Sequence, residues 1–176
     1  MSGGGLAPVP VRRTLIAFGA VSFSYFAYAG LFGTYAPLWF RSLGYSTLAI
    51  GVLASVQSAT RVLSPYAWGW IADHTGRRAQ LLRAAVALSL LCAFGFLVTP
   101  SYAWVVGVTA ALFVCTAGVI PISEASLAHL VRRGAALDAA RYGRVRVWGS
   151  VGFILTVSIA GFALQWLGVA RFPLLV

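Results

Sequence analysis

The chain has 176 residues, of which 60% are hydrophobic and 9% charged, with a mean hydropathy of +0.89. That composition excludes an ordinary soluble domain, where about a quarter of residues are charged. The formal charge of +10 is reached without a single lysine, and most of the arginines flank apolar runs, which reports membrane topology rather than a nucleic-acid partner.

Residues 1–13, with Gly3 to Gly5, Pro8 and Pro10, read as a disordered cytoplasmic lead. Apolar runs follow at about 14–39, 47–72, 79–99, 103–131 and 145–167, and a sixth begins near 172. Each of the five exceeds the ~20 residues needed to cross ~30 Å of hydrocarbon. Unpaired backbone groups in lipid cost several kcal/mol each, so such runs must be helices. The first run is too long for a signal-peptide core and should remain in the mature protein. The expected fold is therefore all-α, a polytopic bundle in a bilayer.

In the first run, Tyr25, Tyr28, Phe32, Tyr35 and Trp39 recur at helical spacing and form one aromatic stripe. Such a stripe is either core or a cavity wall; the hydroxyls of Tyr25, Tyr28 and Tyr35 need partners in a dry environment, which points to a cavity wall, with Tyr25, Tyr28 and Phe32 as candidates for substrate contact. In the second run, Arg61 stands near the bilayer middle, where it costs at least ~2.5 kcal/mol and should face a cavity or a partner. Gln57, Ser58, Ser64 and Trp68 share its face, and Pro65 should kink the helix beside it. Small residues at four-residue spacing, Gly51-Ser55-Ala59 and Gly152-Thr156-Ala160, predict close helix packing.

Between the second and third runs lies Gly69-Trp70-Ile71-Ala72-Asp73-His74-Thr75-Gly76-Arg77-Arg78. Gly76 suits the left-handed conformation that so short a turn needs, and Gly69 should permit close helix approach. Asp73 lies about 120° around the helix from Arg61, so loop and polar face serve different surfaces. Cys92 and Cys115 sit inside apolar runs as small hydrophobes, with no metal spacing or disulfide framework.

Glu124, three residues after Pro121, is the acidic residue inside a span. Burial and a nearby cation act on such a carboxylate in opposite senses, and a group so balanced can load and release a proton near neutral pH. His129 reads as an interfacial side chain. The fifth run opens with Tyr142-Gly143-Arg144-Val145-Arg146-Val147-Trp148-Gly149-Ser150. Arg144 and Arg146 differ by about 200° around a helix, so only one of them can meet Glu124, and spacing does not say which.

The loop after the second run resembles the signature of the major facilitator superfamily, and every expected position is filled. Within it, Ala59-Thr60-Arg61, Pro121-Ile122-Ser123-Glu124-Ala125 and the Tyr142–Ser150 segment are most similar to the lactose-permease-like branch, and in particular to the 3-phenylpropionic acid transporters. The loop from Arg133 to Arg144 is longer than in the sugar permease, so that register rests on Tyr142-Gly143-Arg144. The resemblance implies a two-bundle transporter with its substrate site at the bilayer midplane, of which this chain would be the N-terminal portion, missing a C-terminal six-helix bundle. It implies substrate contact for Glu124 and Arg146, with Trp148 in the same segment. It also implies a conformational latch of Gly69, Asp73, Gly76, Arg77 and Arg78.

The expected function is a proton-coupled symporter of the bacterial inner membrane for an aromatic carboxylate such as 3-phenylpropionate. Arg61, Arg146, Gln57, Tyr25, Tyr28, Phe32 and Trp148 would bind substrate and Glu124 would carry the proton, with no cofactor or metal. A sugar or nucleoside symporter is the alternative, as is a truncated product or half-transporter inactive without its second bundle. An enzyme is not expected: the intramembrane groups form no triad, metal site or phosphate cradle.

The arginines set the orientation. Arg12, Arg13, Arg77, Arg78, Arg83, Arg132, Arg133, Arg141, Arg144 and Arg146 fall on one side, against Arg41 and Arg171 on the other. The positive-inside rule then puts the N-terminus in the cytoplasm. Labelling from outside the cell should therefore mark a cysteine placed by Ser101→Cys and spare one placed by Thr75→Cys. The reverse pattern would invert the topology.

Overall fold

The computed structural model describes residues 11–98, 101–133 and 136–176. The lead before residue 11, the turn at residue 100 and the middle of the 133–144 loop lie outside the described residues. The helices are α1 (Val11–Ser42), α2 (Thr47–Thr75), α3 (Arg78–Phe94), α4 (Tyr102–Thr116), α5 (Val119–Leu130) and α6 (Ala139–Leu167). A single 3₁₀ turn extends α3 over Gly95–Leu97, and a six-residue 3₁₀ helix follows α6 over Val169–Leu174. A two-residue antiparallel ribbon, Arg132–Arg133 with Ala136–Leu137, interrupts the helices in the loop before α6. Five segments are long and apolar enough to cross a membrane: Arg12–Ser42, Thr47–Thr75, Arg78–Leu97, Tyr102–Leu130 and Ala139–Leu167.

Local chemistry explains the ends. Ser46 caps α2 by accepting from the Ala49 N–H, and Ser101 caps α4 by accepting from the Trp104 N–H. Gly76 closes α2 in the left-handed region at φ +63°, donating its N–H to the Ala72 carbonyl. The last span begins at Ala139, earlier than the hydropathy pattern at 145 suggests. Asp138 accepts from the Arg141 N–H and pairs with the Arg141 guanidinium at 3.2 Å, so a polar first turn is helical. The fourth span is two helices rather than one, because Pro121 lacks an N–H and its ring would strike the carbonyl four residues back. The break falls at Ala117–Gly118, one turn before the proline.

The most extensive contact joins α1 to α6, while α4 packs against α2 and α3. Along α6 the packing stripe is wider than its four-residue pattern shows. A Cβ at Gly149 would lie 2.5 Å from the Phe26 ring, and one at Gly152 would lie 2.4 Å from the Phe23 carbonyl oxygen. The second stripe behaves otherwise. Gly51, Ser55 and Ala59 are exposed, so no helix described here packs on them.

One core cluster fills the far end of α1. Phe32, Trp39 and Phe40 meet Phe96 after α3, Phe113 of α4 and Phe172. Phe172 thus enters the core from a 3₁₀ helix. The α1–α2 turn is pinned to this end. Tyr45 stands edge-on to Tyr102 with ring centroids 5.1 Å apart, and the Tyr102 hydroxyl donates to the Ala49 carbonyl. Burial, then the neighbouring Tyr102, push the Tyr45 phenol above its ordinary pKa.

Since a side chain at 152 would meet backbone rather than a movable group, Gly152→Val should lower the melting temperature of the purified protein by about 3–10 °C, as overpacking by 1–3 kcal/mol does. Gly107→Val, with nothing within 4 Å of its Cβ, should not. Equal melting of the two variants would show that the α1–α6 approach is not tight.

Candidate functional site

The site is built where α1, α5 and α6 meet. Arg146 of α6 donates from Nη1 to Oε1 of Glu124 on α5. The carboxylate is 32% exposed and the guanidinium 45%, so the pair faces an opening rather than a sealed core. Phe18, Ser22 and Ser123 close in behind Glu124. In front, Arg146 lines a groove of about 470 Å³ with Phe26, Ser150 and Phe153. Of the two arginines that spacing left open, Arg146 meets the acid. Arg144 is turned to the opposite face of α6, in a separate groove with Arg12, Arg141 and Trp148.

Arg61 projects from the middle of α2, exposed, with its guanidinium carbon 5.0 Å from the Phe113 ring centre. From Phe113 a run of rings crosses the bundle. Phe113 and Tyr28 lie 6.3 Å apart, Tyr28 and Tyr25 6.5 Å, and Tyr25 and Phe26 5.4 Å. The Phe26 ring in turn lies 6.0 Å from the Arg146 guanidinium. Arg61 and Arg146 therefore stand at the ends of one aromatic ladder. Cation–π contacts at these distances stabilise a guanidinium by roughly 0.5–2 kcal/mol, depending on how dry the site is.

Tyr25 and Tyr28 also line a cleft of about 340 Å³ between α1 and α3, with Ser24, Ser89 and Thr116. The buried Tyr28 hydroxyl lies beside that of Thr116 and makes no well-formed hydrogen bond. Gln57 is half-buried one turn before Arg61. The ladder joins Arg61 to Arg146.

Two expectations are corrected. Phe32 is 0% exposed, enclosed by Phe40, Phe96, Phe113 and Phe172, and has no surface to offer a ligand. The aromatic stripe of α1 therefore divides. Its far half is core, with the Tyr35 hydroxyl donating to the Val157 carbonyl of α6 at 2.8 Å, and only Tyr25 and Tyr28 reach the cleft. Trp148 is 54% exposed but stands with Arg144, about 200° around α6 from Arg146, so it cannot share a ligand with that arginine. The rings that do share the groove are Phe26 of α1 and Phe153, two turns after Arg146. The i+7 spacing of Phe153 was legible; Phe26 was hidden because it falls outside the stripe.

In the α2–α3 turn, Arg78 Nη2 donates to Asp73 Oδ1 at 3.1 Å, both side chains well exposed. Arg77 donates its backbone N–H to the Thr75 hydroxyl. Gly69 has nothing within 4 Å of a Cβ position, so no close approach within the described residues requires glycine there.

Residues 15–176 match the model of the MFS_1 like family. The chain belongs to this family. It is a multi-pass membrane protein of the major facilitator superfamily. It is 29% identical over 139 residues to a maltose permease of Geobacillus stearothermophilus, covering 78% of this chain and 34% of the permease. It is 28% identical over 139 residues to a probable 3-phenylpropionic acid transporter of Escherichia coli K12, covering 79% of this chain and 36% of that one. A multi-drug resistance efflux pump PmrA homolog of Lactococcus lactis is 28% identical over 149 residues, covering 81% of this chain and 35% of the pump. The chain thus spans about a third of the length of the curated relatives it matches. No solved structure matches it significantly.

Because the Asp73–Arg78 pair is exposed and Gly69 is unopposed, Asp73→Asn and Gly69→Leu should each shift the melting temperature of this family member by no more than ~2 °C. A fall beyond about 5 °C for either would mean that the turn is a structural element of this bundle.

Proposed function

We propose that this chain is the N-terminal, substrate- and proton-handling bundle of a proton-coupled symporter, completed by a second six-helix bundle. Its membrane would be the bacterial inner membrane, with the N-terminus cytoplasmic, a reading that the arginine distribution supports. The observation that carries the reading is the Glu124–Arg146 pair opening on an aromatic ladder whose other end is Arg61. Arg146 already has its carboxylate. Arg61 makes its described charge contact with a ring, so it is the end of the ladder that can receive an anion.

An aromatic monocarboxylate fits this division of labour. Its carboxylate would take the Arg61 fork, helped by Gln57, and its ring would lie on Phe113, Tyr28 and Tyr25. Glu124 would bind a proton when the site faces outside, freeing Arg146, and lose it when the site faces inside and the pair re-forms. The similarity to a 3-phenylpropionic acid transporter supports the carboxylate. The similarity to a maltose permease, with the groove of Phe26, Phe153 and Arg146, supports a second reading in which a sugar stacks there instead. The Gly69-to-Arg78 turn would act as the latch, its exposed Asp73 and arginines bonding across to the second bundle and Gly69 giving that bundle close approach.

The test is Glu124→Gln in the complete transporter, reconstituted in vesicles. The variant should lose accumulation against a gradient while keeping exchange of substrate down its gradient. Accumulation at the native level would make Glu124 structural. Competition by 3-phenylpropionate but not maltose in the native protein favours the carboxylate reading, and the converse favours the sugar.

A further inference from the structure

The break in the fourth span is filled from another helix. Carbonyls in the last turn of a helix lack intrahelical donors, and the one at Val114, near the end of α4, accepts from Nε1 of Trp68 on α2 at 2.7 Å. The indole reaches it by lying against Gly118, between α4 and α5. A Cβ at Gly118 would stand 2.5 Å from Cγ, 2.7 Å from Cδ2 and 2.9 Å from Cβ of Trp68. These atoms are at the root of the side chain, so no rotamer change of the ring tip would make room. Trp68 therefore occupies the notch that Pro121 creates, hydrogen-bonded to one side of it and packed against the other.

Glu124 lies six residues beyond Gly118, on the short helix α5. The carboxylate meets Arg146 on α6, an element separate from both α2 and α4. A change in the angle at the notch would thus move Glu124 relative to Arg146 while α4 stays packed on α3. We propose that Trp68 is a positioning residue for Glu124, setting the angle of α5 at the Gly118 notch and so the meeting of Glu124 with Arg146. The proposal deepens, and in its transport arm rests on, the reading of Glu124 as the proton carrier. It gives α2, which bears Arg61 on the face of Trp68, a mechanical link to the group on α5.

The experiment measures position first and transport second. In the complete transporter, with Cys92→Ser and Cys115→Ser, the pair Glu124→Cys and Arg146→Cys is oxidised with copper phenanthroline. The rate of disulfide formation then reports how often the two positions meet. Trp68→Phe, which keeps a ring and loses the donor, and Gly118→Ala, which displaces the indole, should each slow it at least ~5-fold, the weight of one hydrogen bond. Trp166→Phe, at an exposed indole near the far end of α6, should leave the rate unchanged. An unchanged rate in Trp68→Phe and Gly118→Ala, or equal slowing by Trp166→Phe, would overturn the proposal.

In the protein with native Glu124 and Arg146, Trp68→Phe should lower accumulation against a gradient while downhill exchange persists. A proportional loss of both would assign Trp68 to packing alone and overturn it as well. If cross-linking slows but Glu124→Gln accumulates substrate normally, the positioning role stands and the proton reading of Glu124 fails.

Discussion

The close approach of α1 and α6 is the contact on which the rest of the bundle depends. Between helices in lipid, no gain comes from taking apolar surface out of water, because the acyl chains are as apolar as leucine. What remains is dispersion and hydrogen bonding, both of which need backbones close together. Gly149 and Gly152 permit that approach by leaving Phe26 and Phe23 directly against the α6 backbone. The seam then places Arg146 over α1 and beside α5. Any side chain added in the seam would push Arg146 away from Glu124 as well as weaken the packing.

The charges in the bundle are arranged by what isolation would cost them. A lone Arg or Glu near the bilayer middle costs at least ~2.5 kcal/mol. Glu124 and Arg146, nearer the ends of their spans, lower their own cost by pairing, yet both groups remain open enough that their mutual attraction is screened and small in net terms. A pair that is costly to break singly but weak as a pair suits a switch. Adding one proton to the carboxylate removes its half of the contact and leaves the Arg146 cation, itself partly exposed, to water or to another anion. The Asp73–Arg78 pair is a different case, fully at the water boundary, where an ion pair contributes no more than ~1 kcal/mol.

Much of the fold was legible in the sequence, because length and hydropathy alone dictate helices in lipid. The five spans, the left-handed Gly76 and the α6 packing stripe follow from local chemistry. The splitting of the fourth span did not follow from hydropathy, since 102–130 reads as one apolar run. Its signal was Pro121, which the pattern placed beside Glu124 without showing where the helix would part. At the site, helical spacing separated Arg144 from Arg146 but could not choose between them, since the choice depends on which side of α6 packs on α1. The aromatic stripe misled for a related reason. Phe32 and Tyr25 share a face of α1, but α3, α4 and Phe172 converge on that face only at its far end.

Arg61 shows why this bundle's polar surface must face something other than lipid. Its guanidinium is exposed at mid-span, the Phe113 ring covers one side of it, and Gln57 and Ser58 flank it on the same helix. A cation–π contact of roughly 1 kcal/mol does not offset an insertion cost of at least ~2.5 kcal/mol. The remainder has to come from water or from an anion, and either requires a cavity on this side of α2. The exposed small residues Gly51, Ser55 and Ala59 and the unopposed Gly69 lie on the same helix, where a second helix could come close. An aqueous cleft bounded by such an approach would supply both the hydration that Arg61 lacks and the dry aromatic wall against which an anion is held more strongly than in bulk water.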